Sequence, residues 1–209
     1  MCSSDLSQYF ETYNLPHVDL VNIRATPIDK ITPEGIRTTD KDYPLDIIVF
    51  ATGFDAMTGS LLKMDIEGRK GLTLREAWHA GPRNYLGLQV PGFPNMFTIT
   101  GPGSPSVLCN MPPAIEHHVD WITHCIAHMQ KQGIKRIEAD DKAADAWVQE
   151  VNEAANSTLL PSATHSWYLG ANVPGKPRVF MPYAGGFAKY QQIVAERTSA
   201  NYLGFSLSR

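Results

Sequence analysis

The chain has 209 residues, 43% of them hydrophobic, enough to bury a core as one domain or as parts of two, which excludes a disordered polymer. A net charge of -3 and a pI near 6.1, with no basic run, argue against nucleic acid or an anionic membrane surface as a partner, so cofactor phosphates would need local donors. No apolar run approaches the ~18 residues of a membrane span and MCSSDLSQYF does not read as a secretory leader, which places the chain in the cytoplasm.

Asp5 is placed to cap a short helix carrying Leu6, Tyr9, Phe10 and Tyr13, which Asn14 and Pro16 would end. Residues 18–23, 27–32 and 35–38 read as short strands, the last two joined through Pro33-Glu34-Gly35 as a β-turn. Residues 46–52, DIIVFAT, form a continuous apolar run that suits a strand covered on both faces, as in an α/β sheet, and Gly53 ends it. Residues 61–88 carry mixed signals and read as a loop-rich connection. Residues 96–100 alternate apolar and hydroxyl side chains between Pro94 and Gly101, which predicts a strand that breaks into a Gly/Pro loop.

Pro112 and Pro113 fit only the first turn of a helix, where their missing amide hydrogens would have no partner anyway. A long helix therefore starts near residues 110–112, and its predicted buried stripe is Ile115, Val119, Ile122, Ile126 and Met129. Asp140 or Asp141 caps a second helix bearing Trp147, Val148, Val151 and Ala155 that ends near Pro161. Residues 162–177 read as a loop and 179–183 as a strand, while Phe187, Tyr190, Val194 and Arg197 mark a last helix.

The chemistry points to the mouth of the long helix. Free amides and the helix dipole favour negative charge there, a physical reason to look for an anionic cofactor. Before it, Gly101-Pro102-Gly103-Ser104-Pro105-Ser106 looks like GxGxxG with its last glycine replaced, a poor dinucleotide-binding sequence but a tight turn suited to lie beside a ligand. Gly170 to Lys176 has the GxxxxGK spacing of a phosphate loop, yet Pro177 stands where Ser or Thr would hold a metal, so the segment reads as a loop with one phosphate-reaching lysine. His117, Asp120, His124 and His128 share a helical face, and the ordinary reading is a solvated polar face with no metal. Cys2, Cys109 and Cys125 show no CxxC spacing and read as free thiols. No Ser/His/Asp or Cys/His arrangement supports nucleophilic catalysis.

ATGFDAMTG at residues 51–59, followed by NYLGL, GFPNMF, GPGSPS, NMPPAIE, SWYLGANVPGKPRVF and GGF in colinear order, resembles the type I Baeyer-Villiger monooxygenases, with an apparent one-residue insertion between Pro161 and Trp167. The resemblance implies an α/β fold: the C-terminal portion of a Rossmann-like flavoprotein with two dinucleotide-binding domains, incomplete as given. Residues 1–54 would end the NADP-binding domain and residues 55–209 would form the C-terminal part of the FAD-binding domain. The GxGxxG motifs, the family signature FxGxxxHxxxWP and the catalytic arginine lie earlier in such proteins, so no catalytic residue is expected in this chain. Either it is a fragment or truncated gene product, or a missing N-terminal half acts as its partner.

By the same resemblance Ala51, Thr52, Gly53, Gly101, Pro102, Asn110, Met111, Ala114, Trp167 and Lys176 would bind FAD and NADP(H). Pro105, Ser106, Val107, Leu108, Met111 and Tyr168 would line the substrate pocket. The implied activity is FAD- and NADPH-dependent insertion of molecular oxygen into a ketone, or oxidation of a sulfide, with the isolated chain inactive. The alternatives are another flavoprotein monooxygenase of the N-hydroxylase type and a non-catalytic half-fold remnant or interaction module.

Overall fold

In the computed structural model, which describes residues 8–209, the chain divides after Gly53 into two units. In the first, Tyr9–Thr12 (α1) makes a single helical turn, and Tyr13 Oη donates to Tyr9 Oη at 2.9 Å. The expected cap Asp5 and its neighbour Leu6, like Cys2, lie outside the described residues. Ile28–Thr32 (β1) and Gly35–Thr38 (β2) form the expected antiparallel hairpin, and Asp42–Pro44 (β3), which sequence reading missed, pairs with β2. Gly35 is required in this hairpin: a Cβ there would lie 2.0 Å from the Tyr43 carbonyl oxygen.

Two expected strands of this unit are absent. Residues 18–23 pair with nothing, and the chain turns at Asn22, whose side chain accepts from the Arg24 amide at 3.1 Å. Residues 46–52 are irregular and lie open, with Ile47 79% and Val49 82% exposed. A strand exists only where a neighbour takes up its N–H and C=O groups, and among the described residues no strand pairs with this run.

The second unit, Phe54–Arg209, opens with Gly59–Leu62 (α2) and Leu74–Ala77 (α3) in the loop-rich connection expected there. A reciprocal Thr73/Glu76 capping box starts α3. Met111–Gln132 (α4) begins with prolines in its first turn, as expected, and ends at Gly133 in the left-handed conformation. Asp141–Asn156 (α5) has Asp140 as its N-cap, and Phe187–Ser199 (α6) is the last helix. Sequence reading missed Arg136–Ala139 (β4) and Phe205–Ser208 (β5), which pair antiparallel and close the unit. The main core gathers Trp121 and Cys125 from α4, Trp147 from α5, Tyr190 from α6, Ile137 from β4 and Phe205 from β5. A smaller cluster holds Leu74, Trp78, Val90 and Phe93.

The buried face of α4 is Ala114, His118, Trp121, Cys125 and Met129, whereas Ile115, Val119 and Ile126 are about 40% exposed. Residues 96–100 are no strand: the Thr98 amide bonds Leu88 O at 2.8 Å, but left-handed backbone at Asn95 and Thr100 interrupts any ladder. Residues 179–183 run extended, but their amides bond loop carbonyls, Leu169 O, Tyr168 O and Ser104 O, instead of a strand.

Candidate cofactor and substrate site

The Gly/Pro loop is built by close backbone approach. Gly101 and Gly103 face the turn at Gly87, and a Cβ on Gly101 would lie 2.5 Å from Thr98 Oγ1 and 2.7 Å from Gly87 O. Thr98 Oγ1 donates to Gly87 O at 2.7 Å, and Trp147 Nε1 donates to Gly103 O at 3.0 Å. Gly101 and Pro102 are therefore buried against the chain's own backbone, so what they shape directly is the turn. The turn leads into a short 3-10 helix, Ser106–Leu108, entered through Ser106 at φ 45°. A non-glycine residue in that region costs on the order of 1–3 kcal/mol and persists only where its surroundings over-determine it.

This bulge delivers Val107 and Leu108, both half-buried, to the mouth of α4, while Pro105 and Ser106 are buried behind them. Cys109 follows, its Sγ directed at Ser106 O at 3.2 Å, and burial pushes its thiol pKa up. At the mouth, Asn110 is exposed and its side chain makes no capping bond. Pro112 and Pro113 carry no N–H, and the Ala114 amide is already turned to Asn110 O at 3.4 Å. The first-turn donor left for a ligand is thus the amide of half-buried Met111, backed by the dipole of a 22-residue helix.

The loop bearing Trp167 meets the bulge. Trp167–Leu169 forms a 3-10 turn with Ser166 Oγ accepting from the Tyr168 amide at 3.2 Å. The extended segment 179–183 joins the two parts: Met181 N donates to Tyr168 O at 2.9 Å, Gly103 N to Met181 O at 2.7 Å, and Tyr183 N to Ser104 O at 2.7 Å. Leu108 and Tyr168 accordingly pack against one cluster with Leu169 and Phe180. Trp167 stands edge-on to Tyr168, with ring centroids 4.5 Å apart, and is half-buried. Lys176 does not reach into this space: its ammonium pairs with Asp55. Ala51, Thr52 and Gly53 are exposed and belong to the first unit.

A buried relay that sequence reading missed holds the loop from behind. The Thr100 amide donates to His118 Nδ1 at 2.9 Å, so the ring proton lies on Nε2, which donates to Tyr190 Oη at 2.7 Å. Tyr190 Oη in turn donates to Leu86 O at 2.5 Å. Burial, with the neighbouring His117 adding to it, pulls the His118 pKa down to about 4, and burial also raises that of Tyr190. The available signal was the His117-His118 pair itself: only one of two consecutive helical residues can share the face of Trp121 and Cys125. Of the polar face, His117 packs edge-on to Phe187 and His128 lies tilted against Tyr202, and among the described residues no three potential ligands assemble around a metal. Cys109 and Cys125 are free thiols. No helix among the described residues is long and apolar enough to cross a membrane.

No protein-family model matches the chain. It is 42% identical to a Baeyer-Villiger monooxygenase of Pseudooceanicola batsensis over 94% of its own length, and 42% identical to the methyl acetate-forming acetone monooxygenase of Gordonia over 97%. A phenazine N-monooxygenase of Lysobacter antibioticus is 40% identical over 99% of the chain. Among solved structures, oxidized steroid monooxygenase bound to NADP superposes with a TM-score of 0.85 at 51% identity, and closed cyclohexanone monooxygenase with 0.90 at 39%, each over 97% of this chain. The OTEMO complex with FAD and NADP gives 0.88 at 40%, again over 97%. The chain spans only 36–38% of the length of these proteins.

Proposed function

From a chain homologous over nearly its whole length to the C-terminal part of Baeyer-Villiger monooxygenases, we propose the C-terminal portion of an FAD- and NADPH-dependent enzyme that inserts oxygen into ketones or oxidises sulfides. Residues 1–54 end its NADP-binding domain and residues 55–209 complete its FAD-binding domain. The observation that carries this reading is the meeting of the Ser106–Leu108 bulge with the Trp167–Leu169 turn in one cluster beside the mouth of α4. The exposed Ile115, Val119 and Ile126 on α4 and the open run at residues 46–52 support it further, because both are surfaces that the remaining part of a longer protein would cover.

Bound FAD supplies the oxygen-activating redox chemistry, and NADPH the electrons. The residues present fit such a group: a helix mouth without a side-chain cap, where the Met111 amide has no intrahelical partner, suits an anionic ring edge. Val107, Leu108 and Met111 shape the apolar pocket that selects the substrate, with Pro105 and Ser106 setting the path of the bulge. Tyr168 supports that wall, and Trp167 presents an indole N–H and a broad apolar face that exclude water from the reacting centre. The test is a Trp167→Ala variant of the chain joined to the missing N-terminal part. The expected outcome is more hydrogen peroxide per NADPH consumed, weaker NADPH use and little change in melting temperature. Unchanged coupling with a sharp fall in melting temperature would make Trp167 a packing residue.

The likeness to a phenazine N-monooxygenase favours one second reading, oxidation at nitrogen. Assaying the joined protein on ketones and on N-heterocycles decides between the two.

A further inference from the structure

Lys176 has a nearly buried side chain, 11% exposed, and its ammonium meets the Asp55 carboxylate and, at 3.4 Å, Ala56 O. Its aliphatic stem lies along Gly170, where a Cβ would come within 3.0–3.2 Å of Lys176 Cγ, Cδ and Cε. Gly170 is the left-handed residue that ends the Trp167–Leu169 turn. Asp55 is held in its own way: its carboxylate covers Gly59, where a Cβ would lie 2.5 Å from Asp55 Cγ, and the Gly59 amide donates to Asp55 O at 3.1 Å. A second tie runs parallel, Asn172 Nδ2 to Phe54 O at 2.9 Å. One continuous line of contacts thus joins residues 54–56, which directly follow ATG in the sequence, to the turn that presents Trp167.

We infer that Asp55 and Lys176 are a positioning pair that sets the conformation of the Trp167–Leu169 turn. A lysine side chain this far out of water is held best with its charge paired, so the turn keeps its place as long as the pair is intact. If either partner is lost, the stem of Lys176 leaves Gly170 and the turn is freed, while the helical core, which the pair does not touch, stays as it was. Lys176 acts in this way through Gly170 and not as a phosphate ligand.

Hydrogen exchange read by mass spectrometry on the 209-residue chain tests this. Lys176→Met, which keeps the apolar stem, and Asp55→Asn should each speed exchange of the Leu169, Gly170 and Ala171 amides roughly tenfold or more, leaving α4 unchanged. Lys176→Arg, which keeps both the stem and the charge, should return the slow rates. The inference is overturned if the turn exchanges at wild-type rates in both single variants, if α4 loosens equally, if Lys176→Arg exchanges as fast as Lys176→Met, or if Lys176→Met acts while Asp55→Asn does not. The positioning pair itself does not rest on the function proposed above. No cofactor enters the exchange measurement, so its failure removes the positioning pair, whereas normal coupling in Trp167→Ala removes the proposed role of the turn.

Discussion

Lowering the pH is expected to weaken the hold on the Gly/Pro loop through one group, His118. The folded protein keeps this ring neutral, with Nδ1 accepting from the Thr100 amide and Nε2–H spent on Tyr190, so a second ring proton would displace the Thr100 bond and place a charge in the core. Its pKa falls from the ordinary 6.5 to about 4. Above the unfolded value neither state binds the proton, and the full stability is present. As pH drops below it, the unfolded chain gains a proton that the folded chain refuses, and stability declines by up to about 1.4 kcal/mol per pH unit. The decline ends at the folded pKa near 4, after a total loss of about 3 kcal/mol. Carboxylates titrate in the same window, so the informative quantity is the difference between the wild type and His118→Gln, which retains a donor and an acceptor but cannot ionise. Urea unfolding followed by tryptophan fluorescence from about pH 8 to 4 should show the variant less stable by about 1–3 kcal/mol at the alkaline end, with the gap closing on acidification. A difference that stays flat with pH, or a His118 ring resonance that titrates at its ordinary value, would refute the reasoning.

Gly101→Ala would force a Cβ to within 2.5 Å of Thr98 Oγ1 and 2.7 Å of Gly87 O, so it should destabilise the chain by about 2 kcal/mol or more in the same unfolding assay, and a neutral result would mean that the two turns separate easily. In the protein joined to its N-terminal part, Val107→Ala and Leu108→Ala should alter which ketones are accepted, by about 1–3 kcal/mol per methylene, more than they alter flavin reduction by NADPH. Steady-state substrate panels beside stopped-flow reduction check this, and an equal loss of reduction would show that these residues hold the cofactor. The 209-residue chain by itself should purify colourless, because no segment carries the three glycines of a pyrophosphate-binding turn, and stoichiometric flavin absorbance would contradict that.

Features decided by local sterics were legible in the order of residues alone. Pro112 and Pro113 could only open a helix, Asp140 could cap the next, and the turn at Pro33-Glu34-Gly35 could only fold β1 back on β2. The ordered motifs from ATGFDAMTG to GGF likewise carried the likeness to flavoprotein monooxygenases that homologues and superposed structures then showed. Which face of α4 turns inward was not legible. The stripe Ile115, Val119, Ile122, Ile126, Met129 and the stripe Ala114, His118, Trp121, Cys125, Met129 both keep helical spacing, share Met129 and otherwise run one residue apart, and periodicity alone cannot choose between them. The fold takes the second because Tyr190, Thr198 and Tyr202 supply partners for His118 and Trp121. The apolar run at residues 46–52 was read correctly as chemistry and wrongly as a strand, since a strand is a property of two segments and among the described residues none pairs with this one. β4 and β5 failed in the opposite sense: RIEA and FSLS carry little strand signal, and become strands because the fold brings them into register. The sequence by itself therefore determined where α4 and α5 begin, the turn between β1 and β2 and the family likeness, which depend on each residue's own backbone and near neighbours, whereas the end of α5 falls at Asn156 and not near Pro161. Only the tertiary structure decided the buried face of α4, the His118 relay and the Asp55–Lys176 pair, because each joins groups dozens of residues apart whose hydrogen bonds exist only after the chain has folded.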